Sequence, residues 1–307
     1  MKSKNSNFLS LFKTEPIVPQ KRIIENDSNL KTGYEFLRFM CKNVRNRSTA
    51  FNSQIEPLTD RATFIVSQLN NMNVQYQVIP FTFSDISMVG YGKEKMANIH
   101  VRFPATNPNT KKTIIFTAHH DIANSSSENC QDNTASVCNL LHLCSEISKM
   151  KRRKRNIHVV FTDCEEMGGR GAEKLCNMLS TNKFGDINVE GIISLELTAV
   201  GDKLWVDKAG WGTATENSKL SKKIESLWDL EFNRFSTPFN ESMVIRRNGF
   251  DGWCIGILPE QDTENLKKNN KRSENWGLCH SYNDVFENAN EEDMTRLVMF
   301  MKKFVND

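Results

Sequence analysis

Apolar residues along the chain recur in two patterns, one typical of helices and one typical of strands. Apolar positions spaced three or four residues apart predict amphipathic helices over residues 31–47, 57–70, 133–149, 168–179, 216–230 and 291–305. Short runs rich in β-branched and aromatic residues predict strands over residues 74–83, 97–103, 114–118, 157–161, 191–197, 203–207 and 253–258. Polar stretches with neither pattern predict loops over residues 84–95, 122–131 and 261–277.

The order of these elements predicts the fold class. From residue 97 onward strands alternate with helices, which is typical of one α/β sandwich with a largely parallel central sheet. No internal repeat and no linker interrupts the pattern. Residues 1–29 are polar and contain Pro16 and Pro19, so we expect an N-terminal tail there and a single domain over residues 30–307.

Composition and charge limit the classes of protein to which the chain could belong. The chain is 38% hydrophobic and 25% charged, with a net charge of +3, which fits a soluble globular protein. The basic run at residues 149–155 lacks the interleaved aromatic residues of a stacking platform, so we expect no nucleic-acid partner. We also expect no membrane span and no leader peptide. None of the eight Cys forms a C-x-x-C pair, so we expect reduced thiols in a cytoplasmic protein.

The strand predicted over residues 114–118 runs directly into His119, His120 and Asp121. Open α/β sheets place their sites at the carboxyl ends of such strands, and imidazoles and carboxylates are common metal ligands. His119 and Asp121 are two residues apart, so in extended chain they point the same way. We expect His119 to bind a metal, Asp121 to orient it, and His120 to pack inside. The alternative is a group of surface side chains on a loop.

Four acids and one histidine later in the chain are further candidate ligands or catalytic groups. Asp132 precedes a predicted helix, where it is either a carboxylate that bridges two metals or an ordinary N-cap. Glu165 and Glu166 follow a buried strand, where they are either a base and a ligand or a charged turn. Glu196 lies inside an apolar strand and needs either a metal or a salt bridge. His280 gains meaning only as the second imidazole of a set.

Taken together, these candidates supply two imidazoles and three carboxylates, and Glu165 is left over as a general base. Such a mixture of nitrogen and oxygen donors is typical of a two-zinc hydrolase, in which the metals lie about 3.5–4 Å apart. The sequence therefore indicates a hydrolytic metal centre.

The motifs H-x-D, D-N, E-E, an acid in a strand and H-S-x-x-D stand in the order found in the co-catalytic zinc aminopeptidases, metallopeptidase family 28, and the chain resembles that family. The family also includes glutamate carboxypeptidase-like enzymes and, as a divergent branch, glutaminyl cyclases. The resemblance covers roughly residues 57–307. It implies a three-layer α/β sandwich of the zinc-peptidase (phosphorylase/hydrolase-like) type, with a mixed, mainly parallel sheet, as a single catalytic domain over residues 30–307.

The same resemblance implies a role for each candidate residue. One zinc ion would be held by His119, Asp132 and Glu196, and the other by Asp132, Glu166 and His280. Glu165 would be the general base and Asp121 the acid behind His119. We therefore expect two zinc ions as cofactors, with cobalt or manganese as alternatives.

Two departures from the family pattern concern the site. The family usually has Asp where this chain has Glu196, although Glu also binds zinc. The segment that lines the family's substrate pocket usually reads S-D-H, whereas here it reads N-E-S at residues 240–242. Arg246 and Arg247, which could hold a carboxylate, and Trp276, an aromatic wall, are the expected substrate-binding residues.

We expect a zinc aminopeptidase that acts on short peptides or small amides, with Glu165 accepting the proton of the attacking water. Three alternatives remain open. The first is a glutaminyl cyclase-like transferase with one zinc, because an aromatic wall such as Trp276 would suit its pocket. Arg246 and Arg247 would suit a carboxypeptidase or amidohydrolase that acts on acidic substrates. A binding protein with an inactive peptidase fold is the third alternative. Neither a nucleic acid nor a membrane is expected as a partner, and the sequence predicts no oligomeric state.

Overall fold

The computed structural model describes residues 29–44, 58–82, 96–208, 217–229, 231–269 and 274–307. The loop expected over residues 84–95 lies outside these ranges, and so does the tail expected over residues 1–29 apart from its last residue. Both stay predictions, as does the division of the chain into a tail and one domain.

One mixed sheet of eight strands forms the middle of the described structure. In chain order its strands are β1 Tyr76–Phe81, β2 Met96–Phe103, β3 Lys112–His119, β4 Asn156–Thr162, β5 Asn188–Leu195, β6 Lys203–Asp207, β7 Phe232–Phe235 and β8 Gly252–Leu258. In space the order is β1-β2-β4-β3-β5-β8-β6-β7. The central strands β4, β3, β5 and β8 are mutually parallel, so their carboxyl ends meet at one edge. Antiparallel pairs join β2 to β4 and β6 to β8.

The central strands are buried on both faces, which explains their nearly continuous apolar sequence. Every residue of β3 after Lys112 is buried, and so is every residue of β8. A parallel sheet covered by helices on both sides needs such runs rather than alternation of apolar and polar residues. The edge strand β1 is only partly buried.

Helices cover both faces of the sheet. They are α1 Gly33–Asn43, α2 Asp60–Asn71, α3 Ala135–Ser148, α4 Arg170–Ser180, α5 Lys219–Leu227, α6 Glu241–Arg247, α7 Glu260–Asn269, α8 Glu274–Leu278 and α9 Glu291–Lys303. The larger apolar core includes residues of α1, α2, α3 and α9, whereas α4 and α6 contribute to a second core. The amphipathic helices begin at ordinary caps: Thr32 and Glu35 form a capping box at α1, and Thr59 caps α2.

Two sequence predictions for the second half of the chain are wrong. Residues 261–277, expected to form a loop, contain α7 and α8, because α7 is polar on nearly every face and shows no apolar period. Asp262 joins the two helices, since its carboxylate accepts the backbone N–H groups of Glu274 and Asn275 at 3.1 and 3.2 Å. The sequence pattern predicted no element between residues 231 and 252, where the structure has β7 and α6, both too short to show a period.

The fold class expected from the sequence is confirmed. A mixed sheet, parallel in its centre, lies between helices on both sides. Within the described ranges, no helix combines the length and the apolar character that a membrane span requires.

Candidate metal centre

Three of the expected site residues lie at the carboxyl edge of the parallel strands. His119 is the last residue of β3, Glu166 lies in the turn after β4, and Glu196 directly follows β5. The three strands are neighbours in the sheet, so their ends are brought together by the topology. This explains why a single apolar run that stops at a histidine was informative.

The other two expected ligands reach the same edge from outside the sheet. Asp132 lies in a π-helical turn, Cys130–Thr134, that precedes α3, and the peptide bond after it is cis. Asp284 holds this turn, because its carboxylate accepts the N–H of Gln131 at 2.7 Å and that of Asp132 at 3.2 Å. His280 follows α8 and faces Asp132.

The carboxylate of Asp132 stands between two imidazoles. Its Oδ1 is 3.2 Å from Nε2 of His119, and its Oδ2 is 3.0 Å from Nε2 of His280. Glu196 joins the first side, with Oε1 3.4 Å from Nε2 of His119. Glu166 joins the second, with Oε2 3.2 Å from Nε2 of His280. The five side chains therefore form two half-sites that share one carboxylate.

These separations fit the spacing of ligands around a small cation. Tetrahedral nitrogen and oxygen ligands at about 2.0–2.1 Å from zinc lie about 3.3–3.4 Å from one another. Nε2 of His119 is buried and has no hydrogen-bond partner among the described residues, although two carboxylate oxygens face it. One ligand atom from each of His119, Asp132 and Glu166 also falls within 4.8 Å of the others. The residues present therefore fit a divalent metal.

Asp121 supports the centre from behind. Its Oδ1 is 3.3 Å from Nδ1 of His119, on the side of the ring away from Asp132. Its two oxygens accept the backbone N–H groups of Glu165 and Glu166 at 3.0 and 3.1 Å. One buried carboxylate thus orients the imidazole and also holds the turn that carries both glutamates. His120 is buried, as expected, with Nε2 3.0 Å from the carbonyl oxygen of Ala97.

The acids and imidazoles of the site shift one another's pKa values. Burial lowers the pKa of His119, but Glu196 and the other facing carboxylates outweigh burial and raise it well above the ordinary range. Burial raises the pKa of Glu196 to about 7, against the pull of His119. Hydrogen bonds to Asp132 and Glu166 raise the pKa of His280 to about 10. A bound cation would replace the shared protons and satisfy these groups together.

Glu165 lies beside the ligands and faces the cleft. Its side chain is largely buried, and burial, with the neighbouring carboxylates, raises its pKa well above the ordinary value for Glu. The cleft has a volume of about 430 Å³ and is lined by Asp132, Glu165, Glu166, Gly168, Glu196, Leu197, Trp205, Pro238, Phe239, Asn240, Trp276, Cys279 and His280. Acids therefore line this cleft together with apolar and aromatic side chains.

The structure does not bring the two arginines into this cleft, which corrects the expectation for Arg246. Arg246 is fully buried in α6, where Nη1 is 2.7 Å from Oδ2 of Asp207 and 2.9 Å from the carbonyl oxygen of Gly252. It has no surface to offer a substrate. Arg247 is exposed and is not among the residues that line the cleft. Trp276 does line the cleft, as expected.

Sequence reasoning missed the other aromatic walls. Trp205 is completely buried in β6, and its ring centre lies 5.2 Å from that of Trp276. Phe239, 44% exposed, lies just before α6. In the sequence Trp205 reads as a core residue and Phe239 as part of a loop. Only the fold shows that both line the same cleft as the acids, so no sequence signal marked them.

Comparison with known proteins agrees with this site. The sequence profile of peptidase family M28 matches residues 98–305, which is more than half of the chain. A comparison with curated protein sequences finds no match.

Solved structures with the same fold include aminopeptidases and a cyclase. The LapA aminopeptidase of Legionella pneumophila has a TM-score of 0.66 at 15% identity, over 89% of this chain and 70% of that one. The glutaminyl cyclase of Porphyromonas gingivalis has a TM-score of 0.63 at 15% identity, over 90% and 96%. BSAP, a zinc aminopeptidase from Bacillus subtilis, has a TM-score of 0.56 at 15% identity, over 70% and 50%. At such identities these structures support the fold, and with the family profile they lead to one conclusion: the chain belongs to peptidase family M28 and is a metallopeptidase.

Proposed function

We propose that the protein is a zinc-dependent aminopeptidase that removes residues from the free N-terminus of short peptides, using two metal ions. The observation that carries this proposal is the position of Asp132, whose two oxygens face two separate imidazoles. A carboxylate placed in this way suits a bridge between two cations. A site for a single ion would need only one of the two half-sites.

Each half-site has three donors of the kinds that zinc accepts. His119, Asp132 and Glu196 would hold one ion, and Asp132, Glu166 and His280 the other. When bound, the two ions would polarise the scissile carbonyl and lower the pKa of an attacking water. Cobalt or manganese are alternatives, because imidazole and carboxylate ligands also suit them.

The chain's own residues would move the proton and place the substrate. Glu165, with its raised pKa, would accept the proton of the attacking water and deliver it to the leaving amine. The carboxylates that line the cleft would attract the protonated N-terminus of a peptide. The aromatic side chains of Trp276 and Phe239 would pack on its first side chain.

Hydrolysis assays on matched peptides test this proposal. We expect cleavage of the first peptide bond of a short peptide with a free amine, and none when the same peptide is acetylated at its N-terminus. Glu165→Gln should abolish turnover while zinc content survives, because Glu165 is not assigned as a ligand. Cleavage of acetylated peptides from the carboxyl end, or near-normal turnover by E165Q, would overturn the proposal.

A glutaminyl cyclase-like activity is the second candidate. The ring contact between Trp205 and Trp276 gives the cleft an aromatic wall, and the similar cyclase structure is covered over 96% of its length. A peptide with N-terminal Gln separates the candidates: an aminopeptidase releases free Gln, whereas a cyclase forms a ring on the intact peptide and releases ammonia. The carboxypeptidase alternative loses the support of Arg246, which is buried away from the cleft.

The cytoplasmic location and the absence of nucleic-acid and membrane partners stay predictions. All eight Cys are free thiols, and only Cys279 is more than slightly exposed, in keeping with a reducing compartment.

A further inference from the structure

Arg61 is one of the largest side chains buried in the described part of the chain, and the proposed reaction gives it no role. It is the second residue of α2 and is only 1% exposed. A buried guanidinium is costly unless its donors meet acceptors. The partners of Arg61 therefore indicate what the fold uses it for.

Two hydrogen bonds of Arg61 join segments that are distant in the sequence. Nε donates to the backbone carbonyl of His120 at 2.6 Å, and Nη2 donates to Oγ1 of Thr134 at 2.7 Å. His120 lies between His119 and Asp121, whereas Thr134 ends the turn that contains Asp132. The planar guanidinium thus spans the strand end with the first imidazole and the turn with the shared carboxylate.

Thr134 extends this connection to the start of the turn. Its hydroxyl accepts from Arg61 and donates to the carbonyl oxygen of Asn129 at 2.5 Å. Asn129 comes directly before the turn and has a positive φ of 49°. The turn is therefore tied at both of its ends, and the fork of Arg61 connects it to the backbone of His120.

The guanidinium also brings a positive charge close to the acids. Burial lowers the pKa of Arg61, and the neighbouring thiols of Cys41 and Cys138 and carboxylates of Asp121 and Asp132 raise it. A guanidinium stays charged in proteins, so it offsets part of the repulsion among the acids before metal binds.

We propose that Arg61 is a positioning residue that fixes the His119 segment against the Asp132 turn and thereby sets the affinity of the centre for its metal ions. The inference rests on the proposed function, because it presumes that these residues bind metal. In this role Arg61 holds the metal ligands in position before the metal binds, and it does not contact the substrate. Partners that orient ligands in this way typically change metal affinity by about 10- to 100-fold when removed.

Zinc affinity tests the inference, measured by competition with a chromophoric chelator on the full chain. Arg61→Met keeps an apolar stem and loses every donor, and Thr134→Val removes only the connecting hydroxyl. We expect R61M to weaken zinc binding by about 10- to 100-fold. T134V should weaken it less, and Arg61→Lys should recover part of the loss because it restores a single donor group without the fork.

Arg155 provides the matched control for a purely structural loss. It is 6% exposed and donates to the carbonyl oxygens of Phe304 and Asp307 at 2.9 and 2.6 Å, beside the start of β4, at the opposite edge of the sheet. Arg155→Met should lower the thermal stability of the metal-free protein and leave zinc affinity unchanged.

The outcomes separate the two proposals. If R61M is folded, loses stability as R155M does and binds zinc as tightly as wild type, the role of Arg61 is overturned. If R61M does not fold, T134V decides: weaker zinc binding supports the role, and wild-type binding refutes it. If the wild-type chain itself binds no zinc, cobalt or manganese, the proposed function is overturned, and this inference with it.

Discussion

Replacing Arg246 by Met would show whether this arginine serves the fold or the substrate. Asp207, its partner in β6, is completely buried and accepts three hydrogen bonds: from Arg246 Nη1 at 2.7 Å, from Ser242 Oγ at 2.6 Å and from the N–H of Cys254 at 2.7 Å. Arg246→Met preserves the length of the buried stem and removes the charge and the donors. It therefore leaves Asp207 buried without its counter-charge.

The size of the loss follows from the contacts that remain. Breaking one side of a buried ion pair costs about 3–5 kcal/mol. Two donors to Asp207 survive in R246M, so we expect the lower end, about 3 kcal/mol of unfolding free energy. With a urea m-value of about 3 kcal/mol/M, the midpoint of unfolding should fall by about 1 M.

The pH dependence provides an internal check. Burial already raises the pKa of Asp207, and Arg246 opposes that rise, so removing Arg246 raises the pKa further. A carboxyl whose pKa is higher in the folded than in the unfolded chain binds more protons when folded. Stability then falls as pH rises between the two pKa values. The deficit of R246M relative to wild type should therefore shrink as pH is lowered towards the unfolded value of Asp, about 4.

Urea unfolding followed by intrinsic fluorescence measures the stability, and the KM for peptides with and without a C-terminal carboxylate measures the substrate role. Arg247→Met is the matched control, because Arg247 is the exposed neighbour on the same helix and should change stability by less than about 0.5 kcal/mol. The reasoning would be refuted if R246M unfolded at the wild-type midpoint while its KM for carboxylate-bearing peptides rose.

Three substitutions and one chelation experiment should give distinct results. Gly256→Ala places a Cβ 1.9 Å from the carbonyl oxygen of Glu196, so we expect a loss of about 1–3 kcal/mol in urea unfolding. Gly277→Ala should be nearly silent, because apart from its chain neighbours and its own helix no described residue comes within 4 Å of the added Cβ. Asp121→Asn can accept only one of the two N–H groups that the carboxylate holds, so kcat/KM should fall by about 10- to 100-fold. Chelation by EDTA should lower the melting temperature, since metal at 100 times its Kd stabilises by about 2.7 kcal/mol per site; an unchanged melting temperature would contradict a metal centre in the fold.

Three of the proposed ligands could be found from the sequence because they stand at or near strand ends. His119 and Glu196 are polar residues in or at the end of apolar runs, where burial is costly unless the side chain has a partner. Such a conflict between residue type and surroundings is visible in the sequence itself. The parallel order of the central strands then places these ends at one edge. The family resemblance assigned ligand roles to Asp132 and His280, which reach the edge from turns that have no periodic pattern.

The directions in which the side chains of Arg246 and Arg247 point could not be predicted from the sequence in the same way. Arg246 and Arg247 are adjacent in sequence, but successive residues on a helix point about 100° apart. One arginine therefore faces inward to Asp207 and the other faces solvent. The helix α7 was missed for a related reason, because a helix that is polar on nearly every side gives no apolar stripe. The two acceptors of Arg61, His120 and Thr134, are distant from it in the sequence, so only the fold shows this connection.

The central claim is that Asp132 joins two metal sites. Titration of the metal-free protein with zinc in a calorimeter, with the bound metal verified by elemental analysis, tests this most directly. We predict two zinc ions per chain, and one per chain for a variant such as Glu196→Ala, which removes a ligand from one half-site only. A wild-type protein that saturates at one zinc ion, with E196A unchanged, would contradict the two-metal centre.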